Sequence, residues 1–212
     1  MNILGNKHRL SQRSIEKVDM NYLLEGKKAN VFYSDPPWSD GNLRYWNTMR
    51  NKNTGTTETN VLSLKEMTNK VRDIIRNNVD GYVILETGNK AIDFQVEILK
   101  PVVHNIQIFD VFYKSGSVWK PNKILVSVTN PKYKFNLDLT GIKCDGFVLP
   151  DLILNHVAKE GDLVIDPFMG LCNTGMASIK NGMVFAGNEF NSSRYDKALK
   201  SLTRYFKKYD RA

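Results

Sequence analysis

The chain has 212 residues with 25% charged and 42% hydrophobic side chains, an ordinary globular composition that excludes intrinsic disorder. No apolar run approaches the roughly 20 residues that span a bilayer, and the first residues lack the apolar segment of a signal peptide. The net charge of +8 is typical of proteins that bind nucleic acid, although it fits other basic proteins as well. Two isolated cysteines and three isolated histidines indicate neither a disulfide framework nor a metal site, so we expect an intracellular protein without a metal.

Strand and helix patterns alternate along the sequence. Apolar runs and helical periodicity predict these elements in chain order: strand 29–35, a polar loop 39–60, helix 62–78 with Ser63 as N-cap, strand 81–88, helix 89–101 ended by Pro101, strands 105–114 and 122–130 as an antiparallel pair, helix 148–161 with Gly161 as C-cap, strand 162–168, helix 174–181, strand 183–190 and helix 192–208. Such alternation predicts one α/β domain over residues 1–212. Its sheet would be mostly parallel, with an antiparallel hairpin at one edge and helices on both faces.

The stretch VFYSDPPW, residues 31–38, joins a buried strand to a stiff turn. Val31 and the aromatic residues after it suit a packed strand, and two prolines end it because they have no N–H for a ladder. The turn therefore presents Asp35 and Trp38 at the carboxyl end of a strand, where open α/β sheets bind ligands. An Asp-Pro turn with a tryptophan that merely covers the core is the structural alternative.

A second stretch, DLVIDPFMGLCNTGMASI at residues 162–179, repeats this strand-turn-helix pattern. Gly170 lies in its turn, where the backbone can approach a ligand closely and helix N–H groups point toward it. The dinucleotide pattern G-x-G-x-x-G is absent. Glu189 follows the next strand, where an acid can accept hydrogen bonds from ribose hydroxyls. The pattern predicts a nucleoside pocket without a pyrophosphate cradle.

The two motifs together, DPPW and DPFMGLCNTG with GNEF, resemble the amino-methyltransferases that use S-adenosylmethionine. Their order resembles that of the β-ordered DNA adenine-N6 and cytosine-N4 methyltransferases, and DPPW is also similar to the mRNA adenine-N6 methyltransferase family. The resemblance implies a Rossmann-like class I methyltransferase fold. It implies a catalytic site of Asp35, Pro36, Pro37 and Trp38, and a methyl-donor site of Asp166, Pro167, Phe168, Gly170, Cys172, Asn173, Thr174 and Glu189, with Gly146 and Phe147 as further contacts. The chain departs from the family pattern in having Cys172 where a glycine is usual and Asn173 where a threonine is common.

The resemblance also implies the chemistry. Asp35 and the carbonyl of Pro36 would accept the two hydrogens of an exocyclic amine, while Trp38 stacks on the base. Asp rather than Ser before the prolines favours adenine over cytosine. Glu86, at the end of its own strand, would line the base pocket or cap the next helix.

Segment 39–60 mixes cations with aromatic rings, as expected for phosphate contacts beside stacked bases, although a surface loop is the alternative. Its candidate substrate-binding residues are Arg44, Tyr45, Trp46, Arg50 and Lys52. We expect nucleic acid as partner, with DNA favoured over RNA. Only loops 39–60 and 131–146 could recognise a target sequence, so a homodimer or a partner methyltransferase subunit is a further expectation. A non-catalytic nucleic-acid-binding subunit is the remaining alternative.

Overall fold

The computed structural model describes residues 2–5, 7–55, 62–144 and 146–209. Within them, nine strands form one sheet: β1 (Asn2–Leu4), β2 (His8–Ser11), β3 (Ala29–Ser34), β4 (Val79–Thr87), β5 (His104–Ser115), β6 (Val118–Val128), β7 (Lys143–Cys144), β8 (Leu163–Asp166) and β9 (Val184–Asn188). The same ranges contain seven helices: α1 (Met20–Leu24), α2 (Asp40–Thr54), α3 (Leu64–Asn78), α4 (Ile92–Leu99), α5 (Val148–Val157), α6 (Asn173–Lys180) and α7 (Ser192–Tyr209).

The strand order across the sheet is β1-β2-β9-β8-β3-β4-β6-β5-β7. The five consecutive strands from β2 to β4 in this order pair in parallel, whereas β6 is antiparallel to both β4 and β5. The predicted mostly parallel sheet with an antiparallel hairpin is therefore confirmed. The hairpin lies one strand inside the edge, because the two-residue strand β7 pairs in parallel with β5.

Helices cover both faces of the sheet, as predicted. Since successive residues of a strand face opposite sides, β3 contributes to two cores. Val31 and Tyr33 belong to the core beneath α5, α6 and α7, and Phe32 belongs to the core beneath α1, α3 and α4. All three side chains are buried, and burying each contributes about 1.5–3 kcal/mol of hydrophobic free energy. The site-bearing strand is thus held rigidly from both sides.

The predicted loop 39–60 is wrong for most of its length, because residues 40–54 form helix α2. The Ser39 side chain accepts a hydrogen bond from the Asn42 N–H (3.1 Å) and so caps the helix, which ends at Gly55 in the left-handed conformation. Polar composition conceals the helical spacing of Leu43 and Trp46. Residues 56–60 of the predicted loop lie outside the described residues.

Other boundaries differ less. The predicted cap of α3 is confirmed, since Ser63 and Glu66 form a reciprocal capping box. Helix α5 ends at Val157, before the predicted Gly161, because Ala158 is already extended. Gly161 serves instead in the turn before β8. Strands β1 and β2 and helix α1 were absent from the prediction, since segments of three to five residues are too short to show a period.

The sheet reverses its winding between β8 and β3, which are adjacent and parallel. The chain proceeds from β3 toward β4 on one side, and from β8 toward β9 on the other. Such a switch point opens a crevice at the carboxyl ends of the strands. Asp35 and Asp166 both lie at this crevice.

Candidate active site

Both sequence motifs meet at the switch point. The five parallel strands carry their carboxyl ends to one edge of the sheet, and four acids lie there: Asp35 after β3, Glu86 near the end of β4, Asp166 at the end of β8 and Glu189 after β9. Two cavities open beside them. The first, of about 360 Å³, and the second, of about 280 Å³, share one wall made of Asp35, Trp38, Phe168, Gly170 and Arg194.

The first cavity lies between the ends of β3 and β9 and the helix α2. Its predicted lining residues include Pro36, Pro37, Trp46, Pro167 and Glu189. The loop after β2 also contributes Ser14, Ile15 and Glu16, which sequence reasoning missed because β2 itself was missed. A carboxylate at the end of β9 and a cleft walled by aromatic rings suit a nucleoside.

The second cavity lies between the turn after β8, the end of β4 and the β5–β6 hairpin. Asp166, Asn173, Thr174 and Gly146 line its near side, and Glu86, Tyr113 and Asn122 line its far side. Asp35 borders both cavities. A ligand group in either cavity can therefore reach the same carboxylate.

Asp35 is held by its own motif. The Trp38 indole N–H donates a hydrogen bond to Asp35 Oδ1 (2.8 Å), and the Trp38 ring contacts Tyr113 edge to face at 5.5 Å between centroids. The carboxylate is accessible from the cavities. Desolvation by the surrounding protein nevertheless raises its pKa to about 6, and the Trp38 hydrogen bond and the charge of Arg194 oppose this rise. One oxygen is thus oriented by Trp38, and the other is available to a ligand.

Asp166 is buried beneath the turn that follows it. Ser34 Oγ and the Phe168 N–H both donate to its Oδ1, at 2.7 and 3.0 Å. Burial raises the pKa of Asp166 to about 7, despite these two bonds and one from Thr174. Ser34 was not among the predicted residues, although its place next to Asp35 and its polar character within a buried strand are signals that could have identified it.

Glu86 is the third acid of this group. The Tyr33 hydroxyl donates to its Oε1 (2.9 Å), and burial together with the charge of Asp35 raises the pKa of Glu86 to about 8. Helix α4 begins after Ala91 without a side-chain cap. Of the two predicted roles for Glu86, the structure therefore supports the lining of the pocket.

The turn after β8 brings backbone close to the ligand space. Gly170 has φ +54°, a backbone conformation that favours glycine, and a Cβ there would contact the guanidinium of Arg194. Cys172 also has a left-handed backbone (φ +69°), and its side chain is fully buried against Gly175. Burial raises the pKa of its thiol. The cysteine therefore occupies the core beneath the turn and lies on neither cavity wall.

The predicted nucleic-acid residues are divided between the site and the surface. Trp46 lines the first cavity, with the Arg194 guanidinium 4.4 Å from its ring centroid. Arg50 stacks over Phe190 at 4.2 Å. The exposed remainder, on the outer part of α2, consists of Arg44, Tyr45 and Lys52. Phe147 lies outside both cavity walls and contacts Tyr205 and Lys180.

Arg194 and Asn122 were missed by sequence reasoning. Arg194 lines both cavities, and its Nε has no hydrogen-bond partner within the described ranges. Asn122 lines the second cavity, is 2% exposed, and its Oδ1 likewise lacks a partner in that part of the chain. Only the register of β6 against β4 and the packing of α7 bring these residues to the site.

Neither a metal centre nor a membrane span is found among the described residues. They contain no group of three or more His, Cys, Asp and Glu side chains arranged to hold a metal ion. They also contain no helix that is both long and apolar enough to cross a membrane.

The fold corresponds to the class I methyltransferase architecture. No protein-family model matches the sequence, and no curated protein matches it. Solved structures, in contrast, match over almost the whole chain. Because their sequence identities are low, the match shows a shared fold and nothing beyond it.

M1.HpyAVI, which has also been solved in complex with S-adenosylmethionine, has a TM-score of 0.65 and 16% identity over 92% of this chain and 98% of its own. TTHA0409 of Thermus thermophilus has a TM-score of 0.66 and 18% identity over 93% of this chain and 95% of its own. The structure of TTHA0409 has also been solved in complex with S-adenosyl-L-methionine. The cytosine-N4-specific PvuII DNA methyltransferase has a TM-score of 0.57 and 13% identity over 97% of this chain and 95% of its own.

Proposed function

We propose that this protein transfers a methyl group from S-adenosylmethionine to the N6 amine of adenine in DNA. The observation that carries the proposal is the meeting of two cavities at Asp35, with Glu189 on one wall and Glu86 and Asn122 on another. Methyl transfer needs two ligands whose reacting atoms come together in line. Two adjoining cavities with a shared carboxylate meet that requirement.

The charge of the site favours a cationic methyl donor. Asp35, Glu86 and Asp166 face a common space, and the raised pKa of each shows that ionising all of them is unfavourable in the free protein. S-adenosylmethionine supplies an electrophilic methyl on a positively charged sulfonium, together with an ammonium group. A ligand with two positive charges would stabilise the ionised forms of the two acids of lower pKa, Asp35 and Asp166.

Individual residues have distinct roles in holding the donor. Glu189 would accept hydrogen bonds from ribose hydroxyls, with Phe168 and Trp46 against the nucleoside. Asp166, oriented by Ser34, would bind the ammonium group from the second cavity. The N–H groups at the start of α6, near Asn173 and Thr174, suit a carboxylate. The solved complexes of M1.HpyAVI and TTHA0409 with this donor are consistent with such a site.

The DPPW turn would activate the amine. The amine lone pair is delocalised into the ring, so acceptors for both hydrogens, at Asp35 and the Pro36 carbonyl, favour a tetrahedral nitrogen with a free lone pair. That nitrogen then forms a bond to the methyl carbon while the carbon–sulfur bond breaks and its electrons remain on sulfur. The methylated nitrogen loses its proton to Asp35 or to water.

Adenine and DNA are the finer parts of the proposal. Asp35 before the two prolines supports adenine by resemblance. The fold is neutral on this choice, because the cytosine-N4-specific PvuII enzyme shares it. The net charge of +8 and the exposed Arg44, Tyr45 and Lys52 on α2 support a nucleic-acid substrate. The target base must be single-stranded or flipped out to enter the cavity.

The test is methylation with labelled S-adenosylmethionine on duplex DNA, single-stranded DNA and RNA, followed by digestion to nucleosides. We expect N6-methyladenine from DNA, and its loss in Asp35→Ala and Asp35→Asn. Asp80→Ala is the matched control, because Asp80 is an exposed carboxylate at the opposite end of β4. Methylation of RNA alone would change the proposed substrate from DNA to RNA, and methylation of cytosine would change the proposed target base. Absence of methylation in all three polymers would refute the proposed methyltransferase activity.

A further inference from the structure

The second cavity contains two polar groups that the donor and the DPPW turn leave without a role. Glu86 offers a carboxyl oxygen toward the cavity, since its Oε1 already accepts the Tyr33 hydroxyl. Asn122 is almost fully buried, and its Oδ1 has no hydrogen-bond partner within the described ranges. A buried acceptor without a partner is unfavourable in the free protein, and a ligand N–H would supply the missing hydrogen bond.

The register of the sheet brings these two groups to the same wall. Glu86 on β4 lies opposite Ile124 on antiparallel β6. Asn122 is two residues from Ile124, so its side chain points to the same face as those of Ile124 and Glu86. Asp35 and Trp38 complete this part of the cavity. A flat ring whose amine contacts Asp35 would therefore present its edge to Glu86 and Asn122.

We propose that Glu86, in its protonated form, donates a hydrogen bond to the ring nitrogen beside the target amine, and that Asn122 Oδ1 shares with Asp35, as a second acceptor, the amine hydrogen nearest that ring nitrogen. This inference rests on the proposed function and specifies how the same site recognises its base. Adenine N1 and cytosine N3 both accept a hydrogen bond at that position. Guanine presents an N–H there, so the wall selects for adenine or cytosine over guanine.

The surroundings of Glu86 keep it protonated. Desolvation by burial is the largest cause that raises the pKa of Glu86, and the ionisation of Asp35 and Asp166, which share its cavity, further disfavours a third negative charge. Tyr33 contributes a neutral hydroxyl from β3. The hydrogen bond from this hydroxyl is the contact that opposes the effect, and Lys114 and Arg194 are the cations that line the same cavity. The two aspartates have lower pKa values than Glu86 and therefore ionise first. Their negative charges balance the positive charges of the donor, and Glu86 stays protonated.

The experiment is a double-mutant cycle between protein and substrate. Wild type, Glu86→Gln and Glu86→Met are compared on oligonucleotides that carry adenine or 1-deazaadenine, which lacks the ring nitrogen. We expect the deaza substitution to lower kcat/KM about 10- to 100-fold with wild type and with Glu86→Gln, whose amide also donates. With Glu86→Met the two substrates should differ by less than about threefold, because no hydrogen bond remains to be lost.

Asn122→Ala is the matched control from the same wall. It should lower kcat/KM on both substrates while preserving the penalty of the deaza substitution, because it acts on the amine. As a second readout, activity of wild type on adenine should fall above about pH 8, and Glu86→Gln should not show that fall. If the product assay identifies cytosine as the target, 3-deazacytosine takes the place of 1-deazaadenine.

An equal deaza penalty in wild type and Glu86→Met would overturn the inference while leaving the proposed function intact. Loss of the penalty in Asn122→Ala would also overturn it, since the ring contact would then not belong to Glu86. Absence of methylation by wild type on every nucleic acid would overturn both proposals.

Discussion

The affinity for S-adenosylmethionine should rise with pH because of Asp166. This side chain is 2% exposed, and its pKa is raised to about 7 in the free protein. A cationic ligand binds the ionised carboxylate and must displace its proton at lower pH. Asp166→Asn removes the titration and leaves a similar shape in the site.

The size of the effect follows from the pKa. If Asp166 is ionised in the complex, the association constant is reduced by the protonated fraction of the free protein. With a pKa of about 7, raising the pH from 6 to 8 increases the association constant about tenfold, which is about 1.4 kcal/mol. Asp35, with a pKa of about 6, adds at most a factor of about two over the same range.

Isothermal titration calorimetry at pH 6, 7 and 8 measures this directly. In buffers of different ionisation enthalpy, the heat should also report proton release on binding near pH 7. Titration of the ligand's own ammonium group affects the binding constant of wild type and of Asp166→Asn equally. The difference in pH dependence between the two proteins therefore reports on Asp166. The affinity of the variant should be lower at pH 8, and its pH dependence weaker.

A dissociation constant that is the same from pH 6 to pH 8 would refute this argument. So would an identical pH dependence in wild type and Asp166→Asn. Either result would mean that Asp166 stays protonated when the donor binds, or that the donor's charge lies elsewhere.

Three other predictions concern stability and the rate profile. Cys172→Gly should be more stable than Cys172→Ala by about 1 kcal/mol in urea unfolding, because both variants lose the buried thiol but only glycine relieves the strain of the left-handed backbone; the reverse order would contradict this. The free protein should lose about 1–2 kcal/mol of stability between pH 6 and pH 8 through Glu86, because an acid whose pKa is raised to about 8 on folding favours the unfolded state as it ionises; Glu86→Gln should remove that loss, and an unchanged slope would count against it. Trp38→Phe should move the acidic limb of the pH–rate profile to higher pH, because the indole N–H that lowers the pKa of Asp35 is gone; an unmoved limb would show that this hydrogen bond is absent during turnover.

Local sequence was sufficient for the strands and helices that carry both motifs. Strands β3, β8 and β9 are short runs of mostly apolar, mostly buried residues that proline or polar residues follow, and α3 displays both its period and its capping box. These signals depend on neighbours within a few residues. The placement of Asp35, Asp166 and Glu189 at one edge followed because parallel strands present their carboxyl ends together.

Other parts of the molecule depend on contacts between distant residues. Strand β2 is recognisable only through its pairing with β9. In α2, Leu43 and Trp46 face the first cavity, and the guanidinium of Arg194 lies over the Trp46 ring. A polar segment can be a loop or a helix until another element packs on it.

The sequence by itself determined the kind of fold and the two acids that the motifs bring to the candidate site, because hydrophobic period, proline turns and motif order are local properties. Only the tertiary structure decided which groups share the cavities with them. Glu86 and Asn122 are 36 positions apart and meet through the register of β4 against β6. The raised pKa of each of these acids likewise results from desolvation by elements that are distant in the sequence, to which the charge of Asp35 adds at Glu86 and at Asp166.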